Sequence, residues 1–246
     1  MGRAKEIIVK VIKSKIANTF IKKNHYSKKV VNNSSLHFGC FLDKQLHGVM
    51  SYGSPLDKRK ILPIVKNTKW NEMLELNRMA FDEFLPKYSE SRCIAISIKL
   101  IKKNAPHIKW ILSFSDGTQC GDGTIYRASG FELIGIKKNY NLCLLPNGKT
   151  IHKMTLESNP NALRKELNNT SYYDLTNGKY DFKKYVEKTN AKILEGYQLK
   201  YIYFVNKKNK KNLTLPIIPF SEIDKQGAGM YKGKKITLKE RQNKRD

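Results

Sequence analysis

Between Ser113 and Phe131 the chain reads SFSDGTQCGDGTIYRASGF, a polar, glycine-rich connection between two apolar runs. Asp116 ends the first run, so its carboxylate faces the crevice at a strand end. There it can orient or deprotonate an amine or bind a metal; its plainer role is to close an Asx turn with Gly117. Ser113 and Ser115 alternate faces with Phe114 and are secondary candidates for holding a carbonyl or a base edge. Gly117, Gly121 and Gly123 let the backbone come close to whatever sits there.

A second chemical cluster lies upstream. Lys87, Ser89, Ser91 and Arg92 gather where a strong helical pattern begins. A helix after a strand aims its first N–H groups outward, and an anion is their natural occupant. The plainer reading is a serine-capped helix with a solvated arginine. Position favours the anion, because α/β sheets bind ligands in the crevice at the carboxyl ends of parallel strands.

Elements must hold these groups in place. EIIVKVI (6–12) reads as a strand, and Ser14 is placed to cap a helix through IANTFIKK that ends near NHYS. LHFGCFLD and QLHGVMSYG read as a hairpin around Asp43-Lys44. MLELNRMAFDEF reads as a strand. Ile94, Ile98 and Ile101 then share one helical face in a segment that ends at Asn104, before Pro106. HIKWILSFS is a buried strand, TIYRAS a short helix and FELIGI a further strand. NLCLLPNGKTIHKMTL suggests a hairpin on Asn147-Gly148, the polar stretch 157–190 should be partly helical, and YQLKYIYFV is a late strand. Strand–helix–strand–helix–strand over 73–136 predicts an α/β fold with a parallel pair at its centre.

Charge narrows the partner. Lys and Arg number 47 against 21 Asp and Glu, leaving +26, the balance of a polyanion binder such as a DNA-binding protein. Basic clusters at Lys22-Lys23, Lys28-Lys29, Lys58-Arg59-Lys60, Lys207-Lys208 and Lys210-Lys211 form a candidate DNA track. The start of the chain has no apolar signal core, and no run reaches the roughly 20 apolar residues of a membrane helix, so a soluble, cytoplasmic protein is expected. Cys40, Cys93, Cys120 and Cys143 form no CxxC pair, and they read as buried or free thiols rather than zinc ligands or disulfides. Residues 1–230 are read as one domain with an insert at about 157–190, and 231–246 as a basic, mobile tail. No obligate protein partner is inferred.

The order of elements ending in YRASGF resembles the core of the GNAT acyltransferase superfamily. More closely, HYSKK (25–29), FGCFLDKQLHGVMSYG (38–53), LELNRM (74–79), LPKYSESR (85–92), HIKWILSFSDGTQCGDGTIYRASGF (107–131) and GYQLKYIYF with LPIIPF resemble the Mom-type adenine-modification proteins of Mu-like phages. The likeness runs from about residue 20 to 235. It implies a GNAT-like mixed central sheet with flanking helices and a C-terminal extension, acetyl-CoA as cofactor, and DNA adenine as the substrate. The exocyclic amine of that adenine would acquire an acetamido (methylcarbamoyl)-type group that protects phage DNA from restriction in the host cytoplasm.

The same resemblance implies roles. Tyr126 stands where such enzymes place a tyrosine that gives its proton to the departing CoA thiolate. His25-Tyr26 would lie by the active site, Tyr52 and Tyr88 would flank the crevice and stack on an extruded base, Asn77 and Arg78 would line the pocket, and Lys58 and Arg59 would hold the DNA backbone. Lys87, Ser89, Ser91 and Arg92 would bind the cofactor, although Ser89–Ala95 replaces the superfamily's glycine-rich loop and adds Glu90. A carbon-linked product suggests a redox metal, iron by preference, on His25, Asp116 and Tyr126. Two other readings stay open: an ordinary N-acetyltransferase acting on an amine of a hypermodified base or a protein, and a DNA-binding phage protein without catalysis.

Overall fold

The computed structural model describes residues 3–119, 121–231, 234–236 and 240. A 3-10 turn at Arg3–Glu6 leads into β1 (Ile8–Val11), α1 (Ser14–Asn24), β2 (Ser34–Leu42) and β3 (Gln45–Gly53). The hairpin turns at Asp43 and Lys44, both at positive φ, the geometry that suits the right-handed twist of its strands. Then come α2 (Lys58–Ile61), β4 (Met73–Phe81), α3 (Ser89–Asn104), β5 (Trp110–Asp116), α4 (Thr124–Ala128), β6 (Glu132–Leu144), β7 (Thr150–His152), α5 (Lys153–Glu157), α6 (Tyr172–Thr176), α7 (Phe182–Lys188), β8 (Lys192–Phe204) and α8 (Ser221–Lys225). A two-residue ladder of β9 (Met230–Tyr231) and β10 (Lys234–Lys235) ends the described chain apart from Ile236 and Glu240.

Eight strands form one mixed sheet in the order β1-β2-β3-β4-β5-β8-β6-β7. The pair β4 and β5 is parallel, and the other neighbours are antiparallel. Side-chain alternation gives the sheet two covered faces. On β3, Met50 and Tyr52 join Cys93, Ile94, Ile98 and Ile101 of α3 in the main core, while Val49 points the other way to Ala17 and Ile21 of α1. On β5, Ile111 faces α3, whereas Trp110 and Leu112 pack with Ile64, Met73 and Ile202 on the opposite side. Thus α1 and α3 cover opposite faces of the sheet.

Several sequence expectations need correction. Ser14 is not a cap but the first helical residue; Lys13 precedes it and no side chain caps that end. FELIGI and NLCLL are one strand, because register shifts at Leu133/Gly135 and Asn139/Leu142 let the polar middle keep pairing with β8. The late strand inserts between β5 and β6, a placement set by pairing rather than by any local signal. The Asn147-Gly148 turn forms as expected, with Leu145 N–H donating to Lys149 O at 2.8 Å. The insert closes over its own small core of Cys143, Ile151, Leu156, Tyr172 and Tyr185, and a reciprocal Ser171/Asp174 capping box starts α6. Of the expected basic tail, Tyr231 and Lys234–Ile236 return as paired backbone, with Ile236 N–H on Gly229 O at 2.9 Å; most of the remainder lies outside the described residues, as does Cys120.

One close approach ties this frame to the crevice. A Cβ on Gly196 of β8 would lie 1.7 Å from Thr118 Oγ1 and 2.6 Å from Thr118 Cβ, in the turn that follows β5. Gly196→Ala should therefore lower unfolding stability by about 1–3 kcal/mol in urea melts, the usual cost of overpacking a filled contact.

Candidate active site

The site begins where a ladder stops. β4 and β5 pair in parallel from Met73↔Trp110 to Leu76↔Ser113 and no further. β4 runs on to Phe81 beside β3, and β5 to Asp116 beside β8. A register shift at Ser51/Tyr52 leaves Asn77 without a β3 partner at the point where the strands part. Ser113, fully buried, donates its hydroxyl to Leu76 O at 3.4 Å across the last rung. Beyond that rung the inner edges of both strands present backbone groups that the ladder does not use.

On the α3 side of this opening, Tyr126 packs its ring 5.4 Å from Tyr201 and 5.5 Å from Phe131. Gly123 starts α4 at φ 75°, where a Cβ would meet the Tyr201 ring at 2.5 Å, so glycine is required for that helix to seat. Asp122 fastens the same turn: it accepts from Thr124 N at 3.2 Å and pairs with Arg127 at 2.9 Å. Ser115 donates its hydroxyl to Gly121 O at 2.7 Å. Ser113 and Ser115 thus direct their protons to carbonyls of the rung and the turn.

The head of α3 differs in part from expectation. Tyr88 precedes it at φ 71°, a left-handed conformation costly for a bulky residue, and no side chain caps the first turn. Ser89 is buried with its hydroxyl on Pro86 O, Ser91 Oγ donates to Tyr88 O at 3.2 Å, and Arg92 reaches Lys5 O at 3.2 Å. These hydroxyl protons are committed to carbonyls, so an anion here would be held by backbone N–H groups and the exposed Lys87.

The opposite face gathers ionisable groups from four separated segments. Asp116, continuing the alternation of Trp110, Leu112 and Phe114, lies on the face away from α3. Its Oδ1 accepts from Thr118 N–H at 3.1 Å, so the Asx turn forms, with Thr118 rather than Gly117 as donor. Burial raises the Asp116 pKa, opposed by the Thr118 bonds and by the nearby His152. His152, at the end of β7, accepts Met154 N–H on Nδ1 at 3.1 Å and thereby keeps its proton on Nε2. Burial lowers its pKa, with Asp116 and Glu157 pulling it up and Lys29 and Arg78 pulling it down.

Arg78 links this group to the end of α1. It donates from Nε to Lys29 O at 3.2 Å and from Nη1 to Asn77 O at 2.9 Å. Lys29 reaches Thr155 Oγ1 of α5, and burial lowers its pKa, aided by Arg164 and Arg78. His25 is buried; its Nδ1 accepts Ser27 N–H at 3.1 Å, and its ring lies 4.2 Å from that of Tyr26. Burial and the Arg78 charge push His25 down to about 4. Asn77 holds Ser34 Oγ at 3.0 Å and Ser54 O at 3.2 Å. Burial lifts the neighbouring Glu75 carboxyl to about 7, against the Asn77 side chain and the Arg78 charge.

Asp116, Arg78, Asn77, His25 and Tyr26 are thus brought to one side of the opening, and Tyr126 to the other. Sequence reasoning missed His152, Lys29's approach to α5, and Glu75; only the carboxylate in an apolar strand was a visible signal. Two expected substrate contacts are corrected. Tyr52 does not flank the crevice: it is fully buried with its hydroxyl 2.6 Å from Ser97 Oγ, and burial raises its pKa. Lys58 is folded in, with Nζ 3.3 Å from Ser54 Oγ and 5.0 Å over the Trp70 ring, while Arg59 and Tyr88 are exposed. Iron does not fit: Tyr126 lies on the α3 face, away from His25 and Asp116. Among the described residues no three His, Cys, Asp or Glu side chains form a metal group.

The strand order and the parted parallel pair define a GNAT-like α/β protein. The Mom protein family model matches residues 6–222, and the chain belongs to that family. A relative, the methylcarbamoylase Mom of Escherichia phage Mu, is 33% identical over 213 residues, covering 85% of this chain and 80% of the relative. Solved structures of similar outline include an N-acyl amino acid synthase from uncultured soil microbes, at 11% identity and TM-score 0.45, covering 85% of this chain and 95% of that one. A Bacillus subtilis acetyltransferase in complex with CoA is also 11% identical, at TM-score 0.44, covering 80% and 98%. Among the described residues no helix is long and apolar enough to cross a membrane.

His25 supplies a test of this electrostatic arrangement. Its folded pKa near 4 lies below the ordinary 6.5, so between those values the unfolded chain binds the extra proton. Stability contributed by neutral His25 is therefore full above about pH 6.5 and is lost as pH falls toward 4, by about 2–4 kcal/mol. Because Glu75, lifted to about 7, gains stability over the same range, the test is the difference between proteins: in urea melts from pH 7.5 to 4.5, wild type should lose stability relative to His25→Gln by about that amount.

Proposed function

We propose that this protein modifies DNA, adding an acetamido (methylcarbamoyl)-type group to the N6 amine of adenine with acetyl-CoA as donor, and so shields phage DNA from restriction. The observation that carries this reading is the opening between β4 and β5, with Tyr126 on one face and Asp116, His152 and Arg78 on the other. Membership in the Mom family and likeness to a methylcarbamoylase support it.

The chain's residues fit a CoA-type donor. The head of α3 offers first-turn N–H groups with no capping side chain, as an anionic pyrophosphate needs, and Lys87 adds a cation. Glu90 in that first turn opposes a phosphate, which leaves the backbone as the main holder. The edge groups of the parted strands can pair with amides of an extended thioester arm. When bound, acetyl-CoA would supply two carbons and their oxygen; the amide nitrogen of an acetamido group would come from an ammonia-level donor, and joining its carbon to N6 would take a two-electron oxidant, both as co-reactants besides this chain, with CoA leaving as the thiol.

Tyr126 is the proton donor on the α3 side, kept from bulk water by Phe131 and Tyr201. Asp116, its pKa raised by burial and its orientation fixed by Thr118 N–H, receives the amine proton, and His152 stands in electrostatic reach to share it. Arg78, anchored on Lys29 O and Asn77 O, gives the same face a fixed positive charge for the phosphate or base edge. The cationic surplus of +26 supplies the attraction for a polyanion, with binding that weakens steeply with salt.

Nucleoside mass spectrometry on plasmid DNA from cells expressing the protein tests the reading. A heavier deoxyadenosine should appear, with an added mass that separates an acetamido from an acetyl group. Asp116→Ala and Tyr126→Phe should each cut its yield about 100-fold or more without weakening DNA binding. Unmodified DNA from well-folded wild-type protein would refute the assignment.

A further inference from the structure

A second surface lies beside the site and has no place in the chemistry above. The segment between β3 and β4 exposes two large apolar side chains, Leu56 at 77% and Trp70 at 54%. They flank an open depression of about 390 Å³ also bordered by Pro55 and Arg59. Single exposed apolar groups are ordinary, but two of them around a concavity rimmed with cations are a recognition surface.

Its parts are held rigidly. Asp57 accepts Lys60 N–H at 3.3 Å to start α2 and pairs with the Lys60 ammonium at 3.0 Å, so its carboxylate is compensated. Lys58 lies 5.0 Å over the Trp70 ring and 3.3 Å from Ser54 Oγ, which fixes the indole while more than half of the residue stays open. The base of the segment is fastened to the site: Asn77 Nδ2 donates to Ser54 O at 3.2 Å, one residue before Arg78.

We propose that Leu56 and Trp70 receive a nucleobase displaced from duplex DNA, Leu56 as the apolar wedge that opens the base step and Trp70 as the platform on which the freed base stacks. The occupant follows from chemistry: a flat, π-faced, polyanion-borne group matches a half-exposed indole bordered by Lys58 and Arg59, and an exposed leucine beside a basic helix matches the wedges that part base steps. An amine inside a base pair is out of reach of Asp116 and Tyr126, so the reaction requires such a device. This inference rests on the DNA reading above.

The test uses the full-length protein with two probes: a mixed-sequence duplex, and the same duplex carrying one bulged adenine. Trp70 and Trp110 are the chain's two tryptophans, and Trp110 is fully buried, so quenching by DNA reports Trp70. Wild type should quench on both probes and raise permanganate reactivity of thymines in the paired duplex. Trp70→Phe should abolish the quench, and Trp70→Ala should weaken binding to the bulged probe about tenfold or more. Leu56→Ala should abolish the permanganate signal on the paired duplex while leaving binding to the bulged probe, where no pair has to open, within about twofold. Since both residues are exposed, folded variants are expected, and circular dichroism checks this. A Trp70→Ala variant that binds the bulged probe as wild type does, or a Leu56→Ala variant that opens the paired duplex as wild type does, would overturn the inference alone. Wild-type protein that binds neither probe at low salt would overturn the DNA reading with it.

Discussion

Everything at the candidate site depends on one rung of backbone pairing, Leu76 against Ser113, and on its having no successor. A parallel ladder left to itself would continue, because each added pair satisfies two strand edges. Here both strands are held by other partners past that point: β3 keeps β4 through Ala80 and Phe81, and the late strand β8 keeps β5 through Asp116. The bulge at Ser51/Tyr52 adds local twist to β4 where it must diverge. Ser113 then caps the last rung with its hydroxyl instead of a further backbone pair. The opening is a product of competing long-range pairings, and a substitution far along the chain, at Gly196 on β8, bears on it directly through Thr118.

The two faces of the opening are electrostatically unlike. Toward α3 the lining is aromatic and neutral, with Tyr126, Phe131 and Tyr201 in one cluster. On the far side Arg78, Lys29, His25, His152, Asp116 and Glu75 share a partly buried region. Burial and the Arg78 charge keep His25 neutral, and burial lifts both carboxyls. Desolvation disfavours the charged forms here, which moves the Asp116 carboxyl and the His152 imidazole toward one another in pKa. Such perturbed groups collect where chemistry is done, and also in structural networks. The convergence of Asp116 and His152 from strands distant in sequence, at a gap in the sheet, favours chemistry.

Local pattern made much of the frame legible. The Ile94, Ile98 and Ile101 spacing and Pro106 bracket α3 at its observed end, and the Asp43-Lys44 turn and the Asn147-Gly148 turn are visible from residue type alone. What stayed hidden is what long-range pairing decides. Nothing in YQLKYIYFV says that it slips between β5 and β6, and nothing near His152 says that it arrives beside Asp116. Burial misled in the same way: Tyr52 and Lys58 have residue types suited to a nucleic-acid surface, yet the neighbouring Ser97 and Trp70 turn them inward.

The charge surplus can be placed on the same map. Several carboxylates are already compensated, as in Asp122 with Arg127, Glu72 with Lys109, Glu132 with Lys210 and Asp43 with Arg3. With 21 acidic side chains against 47 basic ones, even full pairing would leave most cations without an internal partner. Self-repulsion of that size destabilises a compact chain unless a polyanion relieves it. The cationic rim of α2 at Arg59 and Lys60 lies on the segment that Asn77 fastens to β4, so charge that draws in a phosphate chain also brings it to the parted strands. On the functional reading proposed above, attraction, base capture and proton transfer fall along one path, from the basic surface through Trp70 to the gap between Leu76 and Asp116.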